Sequence, residues 1–527
     1  MIATRFSRYA GMTGRAGSFA AILCCPAEAA AHGFAERYDL PIPLGFYLAG
    51  AGATVVLTFL LLALFAGAGP ARGDRPPAHI VSHAAGRILS SRWVAGSLQT
   101  IAAGLFLLVL AAALFGDLNP YANISTTFVW VIWWVGMMFV NTFVGDLWAL
   151  VNPWNALFAG AEKAVRLLRP GARLSLDRPY PGRLGNWPAV LLFLAFAWLE
   201  LISGEGEDPR SLSAAIIAYS LITWTGMIVF GRHAWLVHGE AFTAVFSTFA
   251  RFAPAAFRAG GPGAGTHCAH GVEATDGAII GCAVCFEAAP PAERAILFRL
   301  PGAGLLARNP ISVSTAALVL TLLGTVTFDG FFATPAWGAT LEFVTGLSAL
   351  APLWQAPWMT DNLKFYLLAT LIFLLFPLGF AAALLACARM TSAIAGGMPA
   401  GQVARRFVLT LLPIAIAYHL AHYLTYLLLA GQYIIPAVSD PFGFGWNLFG
   451  TASFKPDIGL VGARFAWYTA VIAIVAGHVI AVYLAHRTAL ALFGDRKRMR
   501  ASQLPMLALM VAYTMLSLWI IAQPTVQ

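Results

Sequence analysis

Three histidines lie in stretches apolar enough to sit inside a membrane: His419 and His422 in one, His478 in the next. An ionisable side chain at membrane depth is costly and marks a functional site by default. A spacing of three puts His419 and His422 on one face of a helix. At 1.5 Å rise per residue, His422, His419 and His478 lie roughly 12, 16 and 22 Å below the outer surface. Pro413 precedes His419 by a turn and a half, where it would kink the helix. Acids accompany them. Glu200 and Asp329 stand near the outer ends of their stretches, and Asp440 sits in a Ser-Asp-Pro turn. His32 belongs to the outer N-terminal segment, and Asp146 and His486 to the inner edge. Mixed imidazole and carboxylate ligands suit Zn, Fe, Mn or Co, and such an ion turns bound water into a hydroxide nucleophile. The pattern therefore predicts a divalent metal held by His419, His422, His478 and His32, with Glu200 or Asp329 as catalytic base or ligand. Three alternatives stay open: histidines that only bond a neighbouring helix, a b-type haem between His422 and His478, and copper at an N-terminal His32.

A second metal-like pattern is Cys268 and His270 followed by Cys282 and Cys285. Two cysteines in a C-x-x-C turn point at one ion, and the upstream pair closes a tetrahedron around a structural zinc. His267 is the alternate fourth ligand. In a reducing compartment a disulfide at this place is not expected. Unligated thiols or an iron–sulfur cluster are the other readings.

These residues are carried by about ten apolar stretches, at about 44–68, 93–115, 126–149, 188–204, 212–231, 311–329, 364–388, 407–430, 464–486 and 503–523. Each needs roughly 20 residues to cross the hydrocarbon. The chain is 59% hydrophobic and 10% charged, with mean hydropathy +0.76. The fold class is thus an all-α polytopic transmembrane bundle, since open strand edges do not survive in lipid. Trp130, Trp133, Trp134, Trp354 and Trp358 suit the aromatic belts.

Residues 1–31 read as a cleaved signal peptide: arginines, a short apolar run, then Ala29-Ala30-Ala31. Residues 32–231 carry five spans, 232–310 a cytoplasmic loop, and 311–527 five more. Of the 32 Lys and Arg, 24 fall in the loops on one side and five on the other. That places both mature ends outside the cytoplasm of a bacterial inner membrane. It also explains the net charge of +9 without a nucleic-acid partner. Ala234 to Phe252 reads as an amphipathic stretch lying along the membrane surface.

Scattered signatures complete the picture: Gly145-Asp146 with Asn152-Pro153-Trp154, Trp198-Leu199-Glu200, Gly239-Glu240-Ala241-Phe242, Thr327-Phe328-Asp329-Gly330, Ala421-His422-Tyr423, Ser439-Asp440-Pro441, Phe449-Gly450-Thr451, Gly477-His478 and Ala485-His486. From His32 to about His486 the chain resembles bacterial integral-membrane proteins named fenitrothion hydrolases. The resemblance implies hydrolysis of the aryl ester of an organophosphorothioate or a related small apolar ester. It brings no assigned catalytic residues. The expectation is therefore a metal-dependent hydrolase with its site open to the outer half of the bilayer, or else a haem- or copper-binding membrane protein.

Overall fold

The computed structural model describes residues 30–33, 36–39, 42–65, 79–260, 272–273, 278–306, 310–493 and 496–523. The signal segment, Cys268 and His270 lie outside the described residues.

Nine helices among the described residues are long and apolar enough to cross a membrane. Those that matter below are α1 (Leu44–Phe65), α2 (Arg92–Phe115) and α3 (Ile124–Phe143). Next come the shorter α4 (Trp187–Leu201), then α5 (Pro209–Phe230). α6 (Ala241–Ala250) precedes α7 (Val313–Phe332) and α8 (Asp361–Ala395). The chain finishes with α9 (Leu412–Ala430), α10 (Ala463–Leu492) and α11 (Leu504–Ala522). The fold is an all-α bundle of a multi-pass membrane protein. The stretch 188–204, expected as a tenth span, is the 15-residue α4, at about 22 Å too short to cross unaided.

Helix starts follow side-chain chemistry. Asp208 accepts from Ser211 N at 2.8 Å and opens α5; Ser312 accepts from Thr315 N at 3.0 Å and opens α7. α7 and the segment around α9 form the centre, with 72% and 78% of their apolar windows buried, while α1, α2 and α8 are peripheral at 17–22%. α9 and α10 meet through small residues. A Cβ on Gly477 would stand 2.3 Å from the Ala417 Cβ.

Three expectations are corrected. The Ala234–Phe252 stretch does not lie along the surface. It breaks at Gly239, and α6 is buried almost throughout, packed against α3, α4 and α7. Its apolar residues cover all but the Thr243–Ser247 face, so most of the helix needs protein or lipid around it. Trp235, just before the break, is clamped by glycines: a Cβ on Gly226 or Gly239 would meet its ring at 2.2 or 2.5 Å. Second, Trp130, Trp133 and Trp134 are core rather than belt. They sit on a π-helical segment, Thr127–Gly136, within α3. Its wider turn gathers them against Phe193, Phe196, Phe242 and Phe246. Third, two loops on the basic side together build a five-stranded antiparallel sheet. Its strands are β3 (Ile80–Ser82), β4 (Ala255–Ala259), β5 (Val272–Glu273), β6 (Ile279–Ile280) and β7 (Arg294–Phe298), in the order β3-β7-β4-β6-β5. β1 (Ala30–Gly33) and β2 (Glu36–Asp39) pair separately, with His32 opposite Arg37.

Candidate functional site

Asp329 lies in the last turn of α7, and its neighbours come from α9. His422 Nε2 stands 3.0 Å from Asp329 Oδ2, and the Tyr423 hydroxyl donates to the same oxygen at 2.5 Å. The two side chains of the pair keep 27% and 17% exposure, so the site is embedded but reachable. Glu200, one residue from the end of α4, stands within electrostatic reach of Asp329, beside the Trp134 indole. His419 lies one turn below His422. Its ring stacks on Tyr423 at 5.4 Å and takes the edge of Phe249 from α6 at 5.4 Å. It is 3% exposed, and neither of its ring nitrogens has a hydrogen-bond partner.

Thus Glu200, Asp329, His422 and His419 come together, while the other expected residues do not join them. His478 is fully buried on α10, its Nδ1 2.8 Å from Ile474 O and its ring 5.8 Å from that of Tyr513. His486 bonds Gln503 Oε1 through Nδ1 at 3.0 Å. Asp440 organises a turn, accepting from the backbone N–H groups of Phe444, Gly445 and Trp446. Asp146 accepts from Ala149 N at 3.2 Å beside a small charged pocket that Arg251 and Arg299 also line. The His32 side chain lies outside the described residues.

Among the described residues, no three His, Cys, Asp or Glu side chains stand where they could hold a metal ion. The His422 Nε2 is taken up by Asp329. Of the expected Cys/His clip, Cys282 and Cys285 are among the described residues. Cys285 is disulfide-bonded and offers no thiolate. Cys282 is free and buried, its Sγ accepting from Cys285 N at 3.3 Å; burial pushes its thiol up to about 11.

A second polar centre went unnamed as a site in the sequence. Glu240 is fully buried at the start of α6. Its carboxyl accepts from Phe242 N at 3.0 Å, Thr243 N at 2.8 Å, Asn152 Nδ2 at 3.1 Å and Trp148 Nε1 at 3.5 Å. It also accepts from the Tyr219 and Thr243 hydroxyls. Six donors from four parts of the chain converge on one group. This is the satisfaction a buried carboxyl needs, and it makes Glu240 a structural hub. A signal was present: a lone acid within an otherwise apolar helical run.

The signature segments therefore meet in space. Asn152 meets Glu240, Asp329 meets His422 and Tyr423, and Ser439 Oγ lies 2.7 Å from Thr451 Oγ1. No family model, curated protein or solved structure matches this chain.

Proposed function

We propose that this protein is a membrane-embedded acid–base hydrolase of small apolar esters, organophosphorothioate aryl esters among them. The carrying observation is the His422–Asp329 pair, set in the half of the bundle away from the basic loops. With Nε2–H given to Asp329, His422 keeps Nδ1 as the base that takes a proton from water. Asp329 orients the ring and stabilises its charged form. The Tyr423 hydroxyl holds the carboxylate in place. Asp329 thus acts as a positioning carboxylate; the water oxygen bonds to phosphorus as the bond to the aryloxy group breaks, and the proton taken by His422 goes to the departing phenolate. An apolar ester reaches such a site from lipid.

The test uses the purified protein in nanodiscs and a nitrophenyl phosphorothioate that releases a coloured phenol. His422→Ala should lower kcat/KM by about 10²–10⁴-fold, the usual contribution of a general base. Asp329→Asn should shift the pH profile as well as the rate. If His422→Ala hydrolyses the ester as fast as the wild type in folded protein, the reading fails.

A second reading is favoured by Glu200 facing Asp329 above an imidazole with no partner: intramembrane proton transfer. Proton flux in vesicles that is lost in Glu200→Gln while hydrolysis persists would favour it over the first.

A further inference from the structure

A large apolar cavity among the described residues is separate from the acid–base site. It encloses about 450 Å³ between α2, α3, α4 and α5, within the size range of ligand pockets. It shares α4 with the site. Leu192, Phe196 and Leu199 line the cavity, while Glu200, one residue on, stands near Asp329.

Its shape and chemistry narrow what fits. Lining residues run from Leu98 to Val109 on α2 and from Leu212 to Ile222 on α5. At 1.5 Å per residue the slot extends roughly 15 Å along the helix axes. That is about half of a hydrocarbon core roughly 30 Å thick, the reach of one leaflet. Ile101 and Ile222 form part of the rim, and both are exposed on the bundle surface at 66% and 46%, so the mouth opens to lipid. The polar atoms of the walls are turned to other partners. Trp130 Nε1 donates to Gly206 O at 2.7 Å, and Trp154 Nε1 to Ser220 Oγ at 2.8 Å. Trp148 and Tyr219 donate to Glu240. Water gains little in such a place, and apolar cavities stay dry. An empty slot would also forfeit dispersion contacts along its walls. α2 is the least buried of the nine spans, with 17% of its apolar window covered, so a filler here would supply the packing that protein does not.

We propose that this slot holds a single acyl chain of a membrane phospholipid, which cements α2 to the bundle. The test reconstitutes the full chain in phosphatidylcholine vesicles. The phosphatidylcholine carries a diazirine at the end of one acyl chain; the vesicles are irradiated, and adducts are mapped by mass spectrometry. Phe106 and Trp133 on the cavity wall should be labelled at least as strongly as Leu60 and Ile472, which are exposed on the outer surface. Ala195→Phe and Ala215→Phe fill the slot from two walls; each should abolish the Phe106 and Trp133 adducts and leave those on Leu60 and Ile472. Ala102→Phe serves as a third variant should either fail to fold. Wild-type labelling confined to Leu60 and Ile472 overturns the proposal. So does cavity labelling that survives all folded filling variants. A small apolar molecule that keeps lipid out would give the first of these results.

Discussion

Asp329 carries two partners on one oxygen, and each can be removed separately. Tyr423→Phe deletes a hydrogen bond to a carboxylate while keeping the ring that stacks on His419. A bond of that kind contributes about 1.5–3 kcal/mol. Hydrolysis should therefore fall by roughly 10–100-fold, with KM little changed if Tyr423 acts through Asp329. Asp146 lends itself to a titration. Burial pushes its carboxyl up to about 6, so the folded state binds that proton more tightly than the unfolded chain does. Stability is then greatest at low pH and declines as pH rises from about 4 to about 6. Arg251 and Arg299 line the same small pocket. Asp146→Asn should flatten that decline and make the protein more stable at pH 7.5, by up to about 3 kcal/mol, read as a higher Tm at pH 7.5 and little change at pH 4.

The spanning helices were legible because a bilayer demands long apolar runs. α6 was not, because ten residues, seven of them apolar, bracketed by polar ones read equally as a surface helix. What buries it is Glu240, and Glu240 is satisfied by Trp148, Asn152 and Tyr219, between 21 and 92 positions away in the chain. The sheet escaped for a similar reason: β3 pairs with β7 across more than 200 residues, and its strands are too short to show alternation. Of the site, His422 and Asp329 were both singled out, but depth alone did not reveal that they bond each other while His478 stays with Ile474. Two substitutions probe these elements. Glu240→Ala strands several buried donors and should destabilise the fold by about 3–5 kcal/mol, lowering Tm without touching His422. Gly477→Val drives a side chain into Ala417 and the Pro413 carbonyl. Overpacking of that sort costs about 1–3 kcal/mol, and it should loosen α9 against α10 and depress hydrolysis through His422.

At the scale of the molecule, two helices cannot stand in a bilayer by themselves. α4 is about 22 Å long and α6 about 15 Å, against a hydrocarbon core of roughly 30 Å. α6 also carries a carboxyl whose partners include side chains from the α3–α5 region. Their place in lipid depends on helices already there, and for α6 that includes α7, made after it. Biogenesis must then be staged: the long helices partition first, and the short ones are drawn in as the bundle closes. A nascent chain halted after Arg258 should hold α6 outside the hydrocarbon, open to a water-soluble thiol reagent at a cysteine placed at Ser247. A chain halted after Ala333 should protect that cysteine. During synthesis the acid–base pair would likewise be incomplete, since Asp329 enters the membrane some ninety residues ahead of His422. A newly made chain would acquire its chemistry only when α9 arrives.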